Sequence, residues 1–207
     1  MMLRSVWKTI GILWGSALAL SACTSISSVN MNRYQLTEVS KVAHTKAQRH
    51  LSILVMQPAA IDGYTTEQML YVNKPYQIGA FANNSWMSPP ATMLLPLLIR
   101  GLESSHYFYA VATDPNVSKT DYRLESVLLC LQQNFMMKPS HLQLVMQVML
   151  VHSTDSRVVA TDIIYESIPC SSDTPLGGVL AGNQATRHLT SRITHFVIEH
   201  VKRDLKE

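Results

Sequence analysis

Apolar residues alternate with polar or mixed residues along much of the chain after residue 33, a pattern typical of half-buried β-strands. In residues 141–152 every second position from Leu142 to Leu150 is apolar, so one face of the segment is apolar and the other mixed. An antiparallel sheet that helices cover on one side has this pattern. The sequence therefore predicts strands at 33–39, 50–57, 107–113, 121–135, 141–152 and 157–168, and a hairpin at 69–81 that bends at residues 73–75.

A pair of prolines marks the start of the first predicted helix, which spans 91–105. Ser88 is the expected N-cap, because a serine hydroxyl accepts hydrogen bonds from first-turn amides, and proline is favoured in a first turn. Pro96 lies deeper in the segment and lacks an N–H donor. We expect it to kink the helix or to delay its regular part.

The second predicted helix runs from about Leu176 to Lys202, where apolar residues recur every four positions. The order of elements is strands, one helix, more strands and a long helix. This order predicts an α+β fold in which a mostly antiparallel sheet packs against two main helices.

The first residues have the organisation of a secretory signal peptide: Arg4 and Lys8 precede a largely apolar run, and small residues precede Cys23. The run is too short to span a membrane, which needs about 20 apolar residues. Residues 20–23, Leu-Ser-Ala-Cys, resemble the bacterial lipobox, although an ordinary signal peptide with a cysteine near its end is the alternative. The resemblance implies cleavage before Cys23, a diacylglycerol on its thiol and an acylated amino group.

These features divide the chain into a lipoprotein signal peptide (1–22), a lipidated N-terminus and tether (23–33) and a single domain (34–207). Thr24 follows the cysteine where, in enteric bacteria, an aspartate would retain a lipoprotein in the inner membrane. By that resemblance, the periplasmic face of the outer membrane is the expected location.

Charge excludes one class of partner. The chain has 17 basic and 14 acidic residues, and the signal peptide holds two of the basic ones and no acid, so the mature chain has 15 basic and 14 acidic residues. A nearly neutral domain is not expected to carry a basic face for nucleic acid.

A family resemblance emerges from residues 72–111, "VNKPYQIGAFANNSWMSPPATMLLPLLIRGLESSHYFYAV". A tyrosine, a short strand, a tryptophan, a proline-started helix and an aromatic strand follow one another there, and this order resembles the ABC-type transport auxiliary lipoproteins. Residues 181–197, "AGNQATRHLTSRITHFV", are similar to that family's closing segment. Met87, Ser88 and Pro96 depart from the family pattern.

The resemblance implies a function and a partner. Such proteins work beside mammalian-cell-entry proteins, whose periplasmic assemblies carry lipid between the two membranes, and would hold or receive the outer-membrane end. The implied contacts are the membrane, through the lipid anchor, and a periplasmic protein of the mammalian-cell-entry type; a homo-oligomer is left open. Alternatives are a module that binds a lipid tail between sheet and helices and, more remotely, an envelope hydrolase.

Four residues are candidates for partner contact: Tyr71, Tyr76, Trp86 and Pro89. Trp86 stands between a strand and a helix, where aromatic residues often anchor contacts, but it would equally fill the core beneath the hairpin. The two tyrosines would line the hairpin as a contact surface or as cross-strand packing.

Motifs for catalysis or metal binding are missing from the sequence, so no enzyme activity, metal or cofactor is expected. His188 and His195 are seven residues apart without an acidic or cysteine partner at ligand spacing, which favours solvated histidines.

Cys130 and Cys170 form an even pair in an oxidising compartment, which suggests a disulfide. In a simple meander, however, their strands lie about 9.6 Å apart, beyond the roughly 7 Å limit for bridged Cα atoms. A disulfide and two buried free thiols both remain open.

Overall fold

The computed structural model describes residues 30–40, 48–113 and 119–206, and the predicted signal peptide and Cys23 lie outside them. The predicted α+β class is confirmed by a nine-stranded sheet and two helices in these ranges. The helices are α1 (Pro90–Ser104) and α2 (Pro175–Asp204). The strands are β1 (Asn32–Tyr34), β2 (Gln48–Val55), β3 (Ala59–Ala60), β4 (Gln68–Lys74), β5 (Gln77–Trp86), β6 (Phe108–Ala112), β7 (Tyr122–Asn134), β8 (His141–His152) and β9 (Arg157–Pro169).

The three longest strands form an antiparallel meander in the order β7, β8, β9. Leu144 of β8 lies opposite Leu131 of β7 and Glu166 of β9. Leu144, Met146 and every second residue onward to Leu150 are fully buried, as the alternation in the sequence predicts. The meander is the part of the sheet that sequence patterning describes best.

The other edge of β7 is shared by three shorter strands that run parallel to it. β2 pairs with the first residues of β7, β3 with its middle and β4 with its last residues. β6 extends the sheet beyond β2, while β5 and then β1 extend it beyond β4. The long strands therefore make the sheet mostly antiparallel, as predicted. The sequence did not predict the short parallel pairings.

Both helices pack on the sheet and against each other, and their apolar side chains join one hydrophobic core. From α1, Leu94, Leu98 and Leu102 are almost completely buried. Gly101 permits the close approach of the helices, because a Cβ atom there would lie 3.2 Å from the Thr194 hydroxyl oxygen. The space between sheet and helices is therefore occupied by buried apolar side chains.

The prediction that Ser88 caps α1 is wrong. Pro89 is the N-cap residue and no side chain caps the helix; its carbonyl oxygen accepts from the amides of Thr92 and Met93. Pro90 at the first helical position has no N–H, so this end has one donor fewer to satisfy. The helix continues through Pro96 to Ser104.

A buried carboxylate fixes the end of α2 to the sheet. Asp204 accepts hydrogen bonds from the Arg157 guanidinium at 2.6 Å and from the Tyr122 hydroxyl at 2.8 Å. Burial alone would raise the pKa of Asp204, but these two donors outweigh it and hold the pKa below its usual range. The ionised form is thus the one that stabilises the fold.

We expect Asp204→Asn to lower the free energy of unfolding by about 1–3 kcal/mol near neutral pH, because a charged hydrogen bond is lost in a partly buried site. The folded pKa of Asp204 lies below its unfolded value of about 3.9. The stabilisation by the ionised carboxylate is therefore complete above a pH of about 3.9 and is lost as the pH falls through the folded pKa. Denaturant unfolding across this range should show the difference between the two proteins shrinking in acid. Asp62→Asn, at an exposed position, is the control, and a difference that does not change with pH would contradict this role.

Candidate interaction surfaces

The hairpin of β4 and β5 carries a tyrosine at its tip. Lys74 pairs with Gln77, so the bend falls at Pro75 and Tyr76, later than the predicted 73–75. Tyr76 has a φ of 62° and its side chain is fully exposed. Glycine or asparagine is the usual residue at such a position after proline, because a side chain in the left-handed region is strained.

A cluster of three aromatic rings supports the hairpin from within. The ring centroids of Tyr71 and Phe81 are 4.8 Å apart, and Phe135, just after β7, lies 5.9 Å from Tyr71 and 6.1 Å from Phe81. Gly79 makes room for the Tyr71 ring, since a Cβ atom there would lie 2.6 Å from Tyr71 Cζ. Tyr71 therefore serves cross-strand packing, one of its two predicted roles.

Further exposed apolar side chains lie at the same end of the sheet. Ile78 follows the bend in β5, and Met136 and Met137 lie in the turn between β7 and β8. The two loops are neighbours, because the Phe135 amide donates to the Val72 carbonyl at 2.8 Å. We call Tyr76, Ile78, Met136 and Met137 the hairpin-end surface.

Two lysines border the hairpin-end surface. Lys74 precedes the bend and is exposed, and Lys138 follows Met137 and forms an exposed ion pair of 3.4 Å with Asp173. The surroundings of the apolar residues are therefore slightly positive.

Trp86 and Pro89 do not join this surface. Trp86 is 2% exposed and lies beside Gly182 of α2, so it belongs to the core. Pro89 begins α1, three residues beyond the end of β5 that is opposite Tyr76. Of the four candidate contact residues, only Tyr76 presents a fully exposed side chain.

A strap formed by residues 35–40 connects the N-terminal region to α2, where the sequence predicted the rest of a strand from 33 to 39. Asn183 Oδ1 accepts from the backbone amides of Thr37 at 2.8 Å and Glu38 at 3.2 Å, while its Nδ2 donates to the carbonyl oxygen of Gln35 at 3.2 Å. Leu36 is buried between these bonds.

Asn183 was noted in the sequence only as part of the family-like closing segment. Its role in the strap was missed, because it depends on a contact between residues about 146 positions apart. An asparagine more than two turns into the helix was the available signal, since a mid-helix asparagine often has partners beyond its own helix.

Cys130 and Cys170 are free thiols in the structure. Cys130 aligns with Val145 of β8, whereas the Cys170 amide donates to the carbonyl of Ser140, five residues earlier on that strand. Burial raises the pKa of both thiols, which keeps them protonated and poorly reactive.

His188 is exposed to solvent, as the sequence predicts, and the fold also brings an acid close to it. Glu166 of β9 lies 3.5 Å from His188 Nδ1 and 3.0 Å from Arg192 Nη1. Arg192 also donates to the carbonyl oxygen of Tyr165 at 3.0 Å. This cluster attaches α2 to β9, and the described residues contain no group of three side chains placed to hold a metal ion.

Neither described helix combines the length and apolar character that crossing a membrane requires.

The chain belongs to the family of ABC-type transport auxiliary lipoprotein components, whose model matches residues 34–194. The family resemblance seen in the sequence is thereby confirmed. The match covers β2 to β9, α1 and most of α2, and it defines the class of protein as a lipoprotein component associated with ABC-type transport.

Crystal structures of other proteins have the same fold. A protein from Xanthomonas campestris superposes with a TM-score of 0.78 at 21% identity, covering 85% of this chain and 99% of its own. A second structure, of an uncharacterised protein, has a TM-score of 0.67 at 17% identity and covers 81% of this chain and 99% of its own. Among curated proteins, none matches this chain.

We predict that Tyr76→Asn leaves the free energy of unfolding unchanged or raises it by up to about 1 kcal/mol, because asparagine tolerates the left-handed backbone and no buried contact is lost. Gly79→Ala in the same hairpin should lower it by about 1–3 kcal/mol, because the new Cβ atom meets the Tyr71 ring. Thermal and denaturant unfolding of the two variants measures both effects. A clear loss of stability in Tyr76→Asn would show that the tyrosine serves the fold.

We predict that Asn183→Ala releases the strap and lowers the free energy of unfolding by about 1–3 kcal/mol, because several hydrogen bonds end on one side chain. Hydrogen exchange should accelerate at the amides of Thr37 and Glu38. Arg187→Ala is the control, since its ion pair with Glu38 is exposed and worth about 0–1 kcal/mol. Unchanged protection of both amides in Asn183→Ala would contradict the role of Asn183 in holding the strap.

Proposed function

We propose that the protein is an outer-membrane-anchored lipoprotein on the periplasmic side, which assists an ABC-linked transport system by docking a periplasmic partner of the mammalian-cell-entry type. The cargo of such a system would be lipid moving between the two membranes. In this role the protein supplies a fixed attachment point and carries no cargo itself.

The observation that carries the docking role is the filled interior. Leu144, Met146, Val148 and Leu150 of β8 are fully buried, as are Leu189 and Val197 of α2. A lipid tail between sheet and helices would have to displace these side chains, and each large-to-small change there costs about 2–5 kcal/mol. The domain is built as a solid body suited to contact through its surface.

The alternative of a lipid-binding module is less well supported. An apolar cleft on the sheet, lined mainly by Met56, Val127 and Met149, has a volume of about 280 Å³ and is open to solvent. Pockets that enclose small molecules usually hold about 300–1,000 Å³ and bury most of the ligand. Because this cleft is small and open to solvent, we do not expect it to shelter an acyl chain during transfer.

The proposed anchor is Cys23. Met31, the first residue of the compact unit, lies eight positions after it, and a chain of that length spans at most about 28 Å. Three acyl chains would hold the protein permanently, because one acyl chain alone binds only marginally. A short tether and permanent attachment suit a docking protein better than a carrier that diffuses.

We expect the native protein, extracted in detergent, to begin at Cys23 and to carry the mass of three acyl chains. Intact mass spectrometry measures both properties. Cys23→Ser should leave the membrane fraction, whereas Ser21→Ala, a small-for-small change in the signal peptide, should not. A mature N-terminus elsewhere, or the absence of acyl groups, would contradict the anchor.

Native mass spectrometry separates docking from lipid carriage. The lipidated protein in detergent is mixed with the purified periplasmic region of the mammalian-cell-entry-type protein from the same bacterium. Docking predicts a complex of defined stoichiometry, with no lipid bound to the domain. Stoichiometric lipid that survives purification and no complex with the partner would favour the lipid-binding module.

A further inference from the structure

Tyr76 is an aromatic residue at a position where folding favours a different one. Four non-glycine residues in the described ranges have positive φ values, and Tyr76 is the aromatic one among them. Its ring is fully exposed, so no buried contact compensates for the backbone strain. A residue that costs stability without contributing to packing indicates selection for a contact outside the chain.

The tip of the hairpin also projects beyond its neighbours. Val72 pairs with Asn134, the last residue of β7, whereas the Lys74–Gln77 pair lies two residues further along the hairpin. Two residues of strand correspond to about 7 Å, so the bend and Tyr76 extend past the end of the central strand. A projecting aromatic side chain of this kind fits a concave surface.

An exposed tyrosine on β9 is already used by the fold. Tyr165 is half-exposed, but its hydroxyl accepts from Gln143 at 3.1 Å and its carbonyl oxygen accepts from Arg192. Tyr76 has no comparable partner within the described ranges. This contrast favours the hairpin tip over the face of β9 as a contact site.

The hairpin tip and β1 lie at opposite ends of β5. β1 pairs with Asn84–Trp86, while Tyr76 immediately precedes Gln77 at the other end of β5. Asn84 lies seven positions after Gln77 along the strand, a distance of about 23 Å. Tyr76 is therefore well separated from β1, the first strand of the sheet.

We propose that the hairpin-end surface is the docking site, and that it inserts Tyr76 into an apolar pocket of a periplasmic protein whose rim carries carboxylates. Ile78, Met136 and Met137 supply the surrounding apolar contact, since flexible methionines adapt to a partner surface. The positive charges of Lys74 and Lys138 attract the carboxylates around the partner's pocket, which speeds association. This inference rests on the proposed function and names the surface through which it operates.

Binding of the full lipidated protein to the purified periplasmic region of the mammalian-cell-entry-type protein tests this site. Tyr76→Asn should weaken the affinity at least tenfold, as expected for a central aromatic anchor, and Tyr76→Phe should keep it within about threefold. Tyr109→Asn, at another exposed tyrosine, should leave it unchanged. Lys74→Glu should slow association and reduce its dependence on salt.

The outcomes distinguish this inference from the proposed function. If the wild type binds and Tyr76→Asn binds equally well, the site is wrong and the docking role stands. If the wild type does not bind, both the docking role and the proposed docking site are wrong.

Two further arms test other occupants of the surface. Vesicles of phosphatidylethanolamine with phosphatidylglycerol as the minor component are mixed with the full chain carrying Cys23→Ser, and light scattering measures self-association. Binding to vesicles, or self-association, that Tyr76→Asn abolishes would assign the surface to lipid or to a second copy and overturn the proposal. Neither effect is expected.

Discussion

The pairing of β7 along both of its edges is the constraint on which the rest of the structure depends. One edge is occupied over its full length by β8, and the other is divided among β2, β3 and β4. Because β4 joins only the last residues of β7, its hairpin with β5 continues past the central strand. The same sheet presents an apolar face that α1 and α2 cover. A solid core and a projecting hairpin are thus two consequences of one arrangement of strands.

This arrangement bears directly on function, because it leaves the domain with surfaces in place of a chamber. The chain belongs to the family of ABC-type transport auxiliary lipoprotein components. The proposed docking role requires a contact surface, whereas the lipid-binding alternative requires a cavity. A filled interior favours the contact. The strap held by Asn183 fixes the chain after β1 to the longest helix through hydrogen bonds.

Sequence patterning predicted the meander and both helices, because alternation and the four-residue period report directly which side chains are buried. It did not predict the parallel strands beside β7, since a short apolar run does not reveal the direction of its partner. Trp86 and Tyr76 show the same limit at the site. The sequence shows that both residues are aromatic. Only the fold shows that Trp86 is buried beside α2 and that Tyr76 projects into solvent.

The central claim is that a lipid-anchored domain docks a periplasmic partner through the hairpin tip, and a cross-link made inside living cells tests it most directly. A photoreactive aromatic amino acid replaces Tyr76 in the full-length lipoprotein, and the same residue at Tyr109 is the control. The account predicts a covalent adduct with the mammalian-cell-entry-type protein from position 76 and none from position 109. Adducts from position 76 only with lipid, or only with another copy of the chain, would contradict it.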